Sequence, residues 1–166
     1  MEIKANDPTL TSWIEVKADS DFSMQNIPFG IYSDGHVGHH ACTAIGEYIL
    51  DLHEMHQLGY FKGITLPHDV FSAPTLNDFI ALGKEVSRAV RNRISELLNI
   101  SNMDLQGSAG HREKIFKLQN NVQLLLPIHI GDYTDFYSSK EHATNVGIMF
   151  RGKENAIIKR GILRIR

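Results

Sequence analysis

Apolar residues recur every three or four positions across 75–98, at Leu76, Phe79, Ile80, Val86, Val90, Ile94 and Leu97. That period predicts one long amphipathic helix, opened by Thr75 with Asp78 directly after Pro74. Elsewhere the apolar runs are short. Phe29-Gly30-Ile31-Tyr32 reads as a strand. Residues 41–45 and 48–52 flank Gly46-Glu47 as a hairpin with a two-residue turn. Residues 12–16 are a further candidate strand. The run 122–126, stopped by Pro127, has the pattern of a buried strand. Short strands joined by tight turns predict a small barrel, so the fold class is mainly β with one long helix (α+β). The Gly- and His-rich 33–40 reads as a loop. So does 99–111, with its Ser, Asn and Gly residues, which marks the boundary region between two domains.

Composition narrows the function classes without choosing one. A chain of 166 residues is long enough for one domain, or one and a part. A net charge of −2 gives no electrostatic case for nucleic acid or membrane. The basic row Lys84, Arg88, Arg91 and Arg93 is interrupted by Glu85 and Glu96 and reads as a solvated helix face. The single cysteine, Cys42, cannot form an internal disulfide, which fits a reducing compartment. Glu2, Asp7, Pro8 and Glu15 stand where a secretory segment would be apolar, and no run approaches transmembrane length. A cytoplasmic location follows by default. His36, His39 and His40, with His53 and His56 nearby, invite a metal centre. No Cys or carboxylate accompanies them at zinc-site spacing, and a solvated loop is the favoured reading.

The chemistry concentrates in 131–151. If the chain stays extended from Asp132 to Tyr137, then Tyr133, Asp135 and Tyr137 share one face. A carboxylate between phenols suits a hard cation or a polar substrate. Ser138 with Glu141 fits a capping box, opening a short helix that carries His142 and Val146 and ends at Gly147. Near a helix N-terminus the dipole disfavours imidazolium, which leaves His142 as the neutral base that proton abstraction needs. Arg151, after the run Val146-Gly147-Ile148-Met149-Phe150, offers a fork for a carboxylate. Each residue also has a plainer reading: a local cap, a packed ring, a surface imidazole.

The run Asp-Tyr-Thr-Asp-Phe-Tyr-Ser-Ser-x-x-His-Ala-Thr-Asn-x-Gly-x-Met-Phe-Arg over 132–151 resembles the signature of the fumarylacetoacetase family. The likeness continues through Gly152-Lys153-Glu154-Asn155-Ala156. Upstream it includes Asn26-Ile27-Pro28-Phe29-Gly30, Ala44-Ile45-Gly46, Ile49-Leu50-Asp51-Leu52 and Pro74-Thr75-Leu76-Asn77. It thus covers about 20–156. The resemblance implies an SH3-like N-terminal barrel over 1–117, the start of a β-rich catalytic domain over 118–156, and a tail outside the family over 157–166. It implies that Asp135 is a metal ligand for Ca²⁺ or Mg²⁺, that Tyr137 and Arg151 contact substrate, and that His142 is the base that activates water. The implied reaction cleaves a carbon–carbon bond of a β-diketone acid, 4-fumarylacetoacetate, to fumarate and acetoacetate in tyrosine and phenylalanine breakdown. A homodimer is expected for the full-length family. The likeness stops after Ala156, before the family's other metal carboxylates, its lysine and the acid that orients the histidine. The chain is therefore expected to be truncated and inactive alone, as a frameshifted or stopped gene, a fragment, or half of a split enzyme. The change to an Ile- and Arg-rich tail favours the frameshift. The alternative is a non-catalytic barrel module that packs on a partner chain.

Overall fold

The computed structural model describes residues 4–36, 38–132 and 137–157. They divide into two compact units, Met1–His129 and Ile130–Arg166.

The first unit is built on a curled, five-stranded antiparallel sheet. Its strands are β1 (Phe29–Ser33), β2 (His40–Ile45), β3 (Tyr48–Asp51), β4 (Phe116–Leu118) and β5 (Gln123–Leu125). They lie in the order β4-β3-β2-β1-β5. The expected hairpin forms: Ile45 pairs with Tyr48 across Gly46-Glu47. Gly46 has φ +54°, as the first position of a type II′ turn requires. A Cβ there would also lie 2.8 Å from the Glu15 carbonyl oxygen, so glycine is needed twice over.

Alternation gives the sheet two apolar faces. Ile31, Ala41, Ile45 and Leu50 enter the main core, while Tyr32, Cys42 and Ile49 form a smaller cluster on the other side. On the main face the rings of Phe29, Phe79, Phe71 and Phe61 follow one another at centroid distances of 5.2, 5.1 and 5.5 Å. Such contacts add about 0.5–1.5 kcal/mol each to their burial.

Several expectations change on folding. The helix foreseen over 75–98 is two helices, α2 (Asn77–Ala81) and α3 (Gly83–Leu98), because Gly83 adopts φ +86° and breaks the right-handed run. It is also not the single helix of the fold. Together with α1 (Leu52–Gln57), α4 (Met103–Gln106) and α5 (Ala109–Ile115) it makes the architecture mixed α+β. The Thr75–Asp78 cap does not form. Leu76 is the residue before α2, and Asn77 instead clasps His129, donating to its carbonyl at 3.0 Å and accepting from its N–H at 2.9 Å.

The polar residues of 99–111 punctuate helices rather than a loop. Asn102 caps α4 and Ser108 precedes α5, while Leu105 and Ile115 are fully buried. The candidate strand at 12–16 is a single bridge, Ser12 to Asn99, with the Trp13 indole donating to the Leu97 carbonyl at 2.9 Å. The run 122–126, expected as a buried strand in the start of the catalytic domain, is neither: it lies at the sheet edge with Leu124 and Leu126 exposed. It pairs with β1 instead, as β5, with Leu125 opposite Ile31.

Half of the supposed solvated basic row is structural. Arg91 donates to the carbonyls of Ile27 and Gln25 at 3.0 and 2.8 Å. Arg93 donates to the Tyr60 carbonyl at 3.1 Å and to Asp104 at 2.9 Å. Among the described residues no helix is long and apolar enough to cross a membrane.

Candidate functional site

The second unit is organised by α6 (Lys140–Arg151). Its N-cap is Ser139, not Ser138: the Ser139 hydroxyl accepts from the His142 N–H at 3.2 Å and donates to the Glu141 carboxylate at 3.0 Å. The Glu141 backbone N–H and the Ser139 hydroxyl hold the Glu141 carboxyl below the usual range. The helix also runs past Gly147, where it was expected to end. It stops at Gly152, whose φ of +75° ends the right-handed run and whose N–H bonds the Ile148 carbonyl at 3.0 Å. Gly147 serves a different purpose. A Cβ on it would sit 1.7 Å from the Ala156 carbonyl oxygen, so the returning turn Lys153–Asn155 lies directly on the helix at this point.

Cap geometry places His142 in the first turn of α6, exposed, with its ring 5.2 Å from that of Tyr137 at an interplanar angle of 50°. These two expected site residues are brought together. Arg151 is not with them. Nine residues on, it lies about 13.5 Å further along the helix axis and on the opposite face. Its Nε donates to the Asn155 carbonyl at 3.2 Å and its Nη2 to the Ala156 carbonyl at 3.0 Å, which ties down the turn after the helix. Asp135 and Tyr133 lie outside the described residues, as does the tail from Ile158 onward.

Residues 25–127 match the family model described as Fumarylacetoacetase N-terminal. The chain belongs to the fumarylacetoacetase family. The relative from Dictyostelium discoideum, named Fumarylacetoacetase, is 45% identical over 154 residues, covering 90% of this chain and 35% of the relative. Those of Bos taurus and Homo sapiens, with the same name, are 44% and 43% identical over 89% of this chain and 35% of their own length. The chain thus spans about a third of the length of the curated relatives it matches. The aligned span runs past the 25–127 match on the C-terminal side, since 90% of the chain is more than residues 1–127 hold.

The expected metal ligand, Asp135, lies outside the described residues. Among the described residues no group of three or more His, Cys, Asp or Glu is placed to hold an ion. A hard cation such as Ca²⁺ takes about six to eight oxygens, and a single carboxylate supplies at most two. The described residues do not make up a complete ion site. A cleft of about 750 Å³ in the first unit, lined by Lys4, Asp7, Ser95, Glu96 and Asn99, contains none of the expected site residues.

The first unit of this fumarylacetoacetase-family chain holds a polar cluster that the reading along the chain missed. His40 is not in a solvated loop; it opens β2, and its side chain is 12% exposed. The buried Asp51 carboxylate accepts from the Tyr32 hydroxyl at 2.5 Å, lies 2.8 Å from His40 Nδ1, and accepts from the Glu54 N–H at 3.0 Å as the N-cap of α1. Burial alone would raise the Asp51 pKa, but the bonds from His40, Tyr32 and Glu54 outweigh it and leave it lowered. The same bond, outweighing burial, raises His40. Burial pushes the neighbouring Cys42 thiol up to about 12, so it is inert rather than nucleophilic. A usable signal was present in the chain: Asp51 followed three residues later by Glu54 is a helix-start pattern, concealed because 48–52 also reads as a strand.

Proposed function

We propose that this chain supplies the N-terminal part of a fumarylacetoacetase. His142 is the general base toward water, Tyr137 is a substrate contact, Asp135 is one ligand of a Ca²⁺ or Mg²⁺ ion, and Arg151 contacts substrate once its fork leaves the Asn155 and Ala156 carbonyls that it bonds here. The substrate is a small β-diketone acid, 4-fumarylacetoacetate, cleaved to fumarate and acetoacetate in the cytoplasm as a step of tyrosine and phenylalanine breakdown. Neither nucleic acid nor membrane takes part, and the full-length form is a homodimer. The sheet of the first unit is read as the SH3-like barrel of the family's N-terminal domain, and the second unit, from Ile130, as the start of the catalytic domain. The observation that carries this reading is 43–45% identity to fumarylacetoacetases over about nine-tenths of the chain. The pairing of Tyr137 with His142 at the capped start of α6 supports it.

On this reading the chain alone holds a base and substrate contacts without a complete ion site, and is inactive by itself. The test mixes the chain with a separately expressed C-terminal remainder of the Dictyostelium relative and follows loss of 4-fumarylacetoacetate with Mg²⁺ or Ca²⁺. Turnover should appear in the mixture, not in the chain alone. Replacing His142→Ala should lower it by about 10²–10⁴-fold with little change in KM, as loss of a general base does. Turnover within a few-fold of the parent removes His142 from the role. Arg151→Lys should raise KM, because a point charge cannot replace the fork.

A second reading, a non-catalytic module that packs on a partner chain, draws on one observation. The edge strand β5 leaves Leu124 61% exposed and is followed by Leu126 at 71%. Exposed apolar residues on a sheet edge favour association. Sedimentation of the chain, with and without Leu124→Lys and Leu126→Lys, separates a self-associating edge from a solvated one.

A further inference from the structure

Helix α1 carries two imidazoles, each of which hides a nitrogen with nothing to bond. His53 Nδ1 and His56 Nδ1 are both buried without a hydrogen-bond partner. The His53 ring lies 4.5 Å from that of His40, tilted by 43°. The His56 ring stands edge-on to Phe71 at 5.8 Å and 6.4 Å from Phe61. A neutral imidazole can leave such a nitrogen as a bare lone pair. A protonated one must place an N–H there, and a buried donor without an acceptor is costly.

The surrounding charges do not relieve this. His53 faces His40 on β2, Asp51 at the end of β3, Glu54 on its own helix, and His68. Burial lowers its pKa first and His40 adds to that, against the weaker opposing pull of Asp51 and Glu54. His56 faces His68 and His53, and burial again lowers it first. Asp51 meanwhile stabilises the charged form of His40, so acid builds positive charge on both sides of the His40–His53 contact. α1 is only six residues long and cannot persist as an isolated helix. What holds it is the burial of Leu52 and Met55, both fully enclosed, and the Asp51 cap.

We propose that α1 is an acid-released element: protonation of His53 and His56 lifts Leu52–Gln57 from the sheet while the β1–β2–β3 ladder stays paired, baring the apolar surface beneath Leu52 and Met55. The sign follows from linkage. The opened helix binds protons with ordinary histidine affinity, near pH 6.5, and the closed one resists them. The open population therefore grows as pH falls below that value.

Amide hydrogen exchange on the full chain, corrected for the intrinsic effect of pH, tests this between pH 7.5 and 5.5. The amides of Leu58, Gly59 and Tyr60, bonded to Glu54, His56 and Met55, report on α1. Across this window their protection should fall by about tenfold in all if one proton is taken up on opening and about a hundredfold if two are, most of it below pH 6.5. The ladder amides of β2 and β3 should not follow. The double variant His53→Gln, His56→Gln should abolish the pH slope. Should that variant fail to fold, NMR titration of the parent decides: His53 and His56 must titrate below the histidines of the urea-unfolded chain. Protection of α1 that ignores pH overturns the proposal. So does equal loss across β2 and β3, or titration of both histidines at the unfolded value.

Discussion

Asp51→Ala removes the shared acceptor of the buried cluster, and its cost can be worked from three contacts. The Tyr32 hydroxyl, on a fully buried ring, loses its 2.5 Å bond to the carboxylate. A buried hydroxyl left unpaired costs about 1–3 kcal/mol. The Glu54 N–H loses its cap at 3.0 Å, worth about 1 kcal/mol. His40 loses the anion 2.8 Å away, which adds to the total without a separate cavity term. One carboxylate serves all three, so the losses are not independent. A total of about 3 kcal/mol is expected, a large fraction of the roughly 5–15 kcal/mol of a whole domain. In urea, with an m-value of about 1–3 kcal/mol per molar, the midpoint should fall by roughly 1–3 M at unchanged m. A double-mutant cycle sharpens the test. Tyr32→Phe should destabilise the parent but stabilise the Asp51→Ala variant, because it deletes the stranded hydroxyl. A midpoint unmoved by Asp51→Ala, or a Tyr32→Phe effect of the same sign in both backgrounds, refutes the reasoning.

Gly83→Ala meets no atom within 4 Å, so its cost is conformational only. At φ +86° it should be about 1–2 kcal/mol, a melting temperature lower by roughly 2–8 °C; an unchanged melt would mean that the α2–α3 break does not need glycine. Gly147→Ala puts a methyl where the Ala156 carbonyl oxygen lies at 1.7 Å, so NMR shifts at Asn155 and Ala156 should move while α6 stays helical; unmoved shifts would deny the close contact. His40→Gln probes the raised imidazole. A raised folded-state pKa gives stability that is fully present below the unfolded value near 6.5 and is lost as pH rises through the folded value. The parent's advantage over His40→Gln, measured as urea midpoints, should therefore be larger at pH 6 than at pH 8; the opposite order would refute the His40–Asp51 pairing.

What the chain determined by itself was local or came as a run of identities. The hairpin at Gly46-Glu47 was legible because two-residue turns impose backbone demands on neighbours that glycine alone meets. The apolar side of α3 was legible because Val90, Ile94 and Leu97 repeat at helical spacing. Membership in the family was legible because the polar run 132–151 is long and depends on no fold. What remained open needed distant parts of the chain. Whether 122–126 belongs to the first sheet depends on β1, some ninety residues earlier, presenting a free edge. Whether Arg91 and Arg93 are solvated depends on carbonyls of Ile27, Gln25 and Tyr60 that no helical period encodes. Gly147 looks like a helix stop until the turn carrying Ala156 folds back against it. His40 looks like a loop histidine until β3 brings Asp51 beside it. Local patterns register backbone preference and burial, which act over a few residues. Hydrogen-bond partners and close approaches are set by which segments the completed core brings together, and only the tertiary structure decides that.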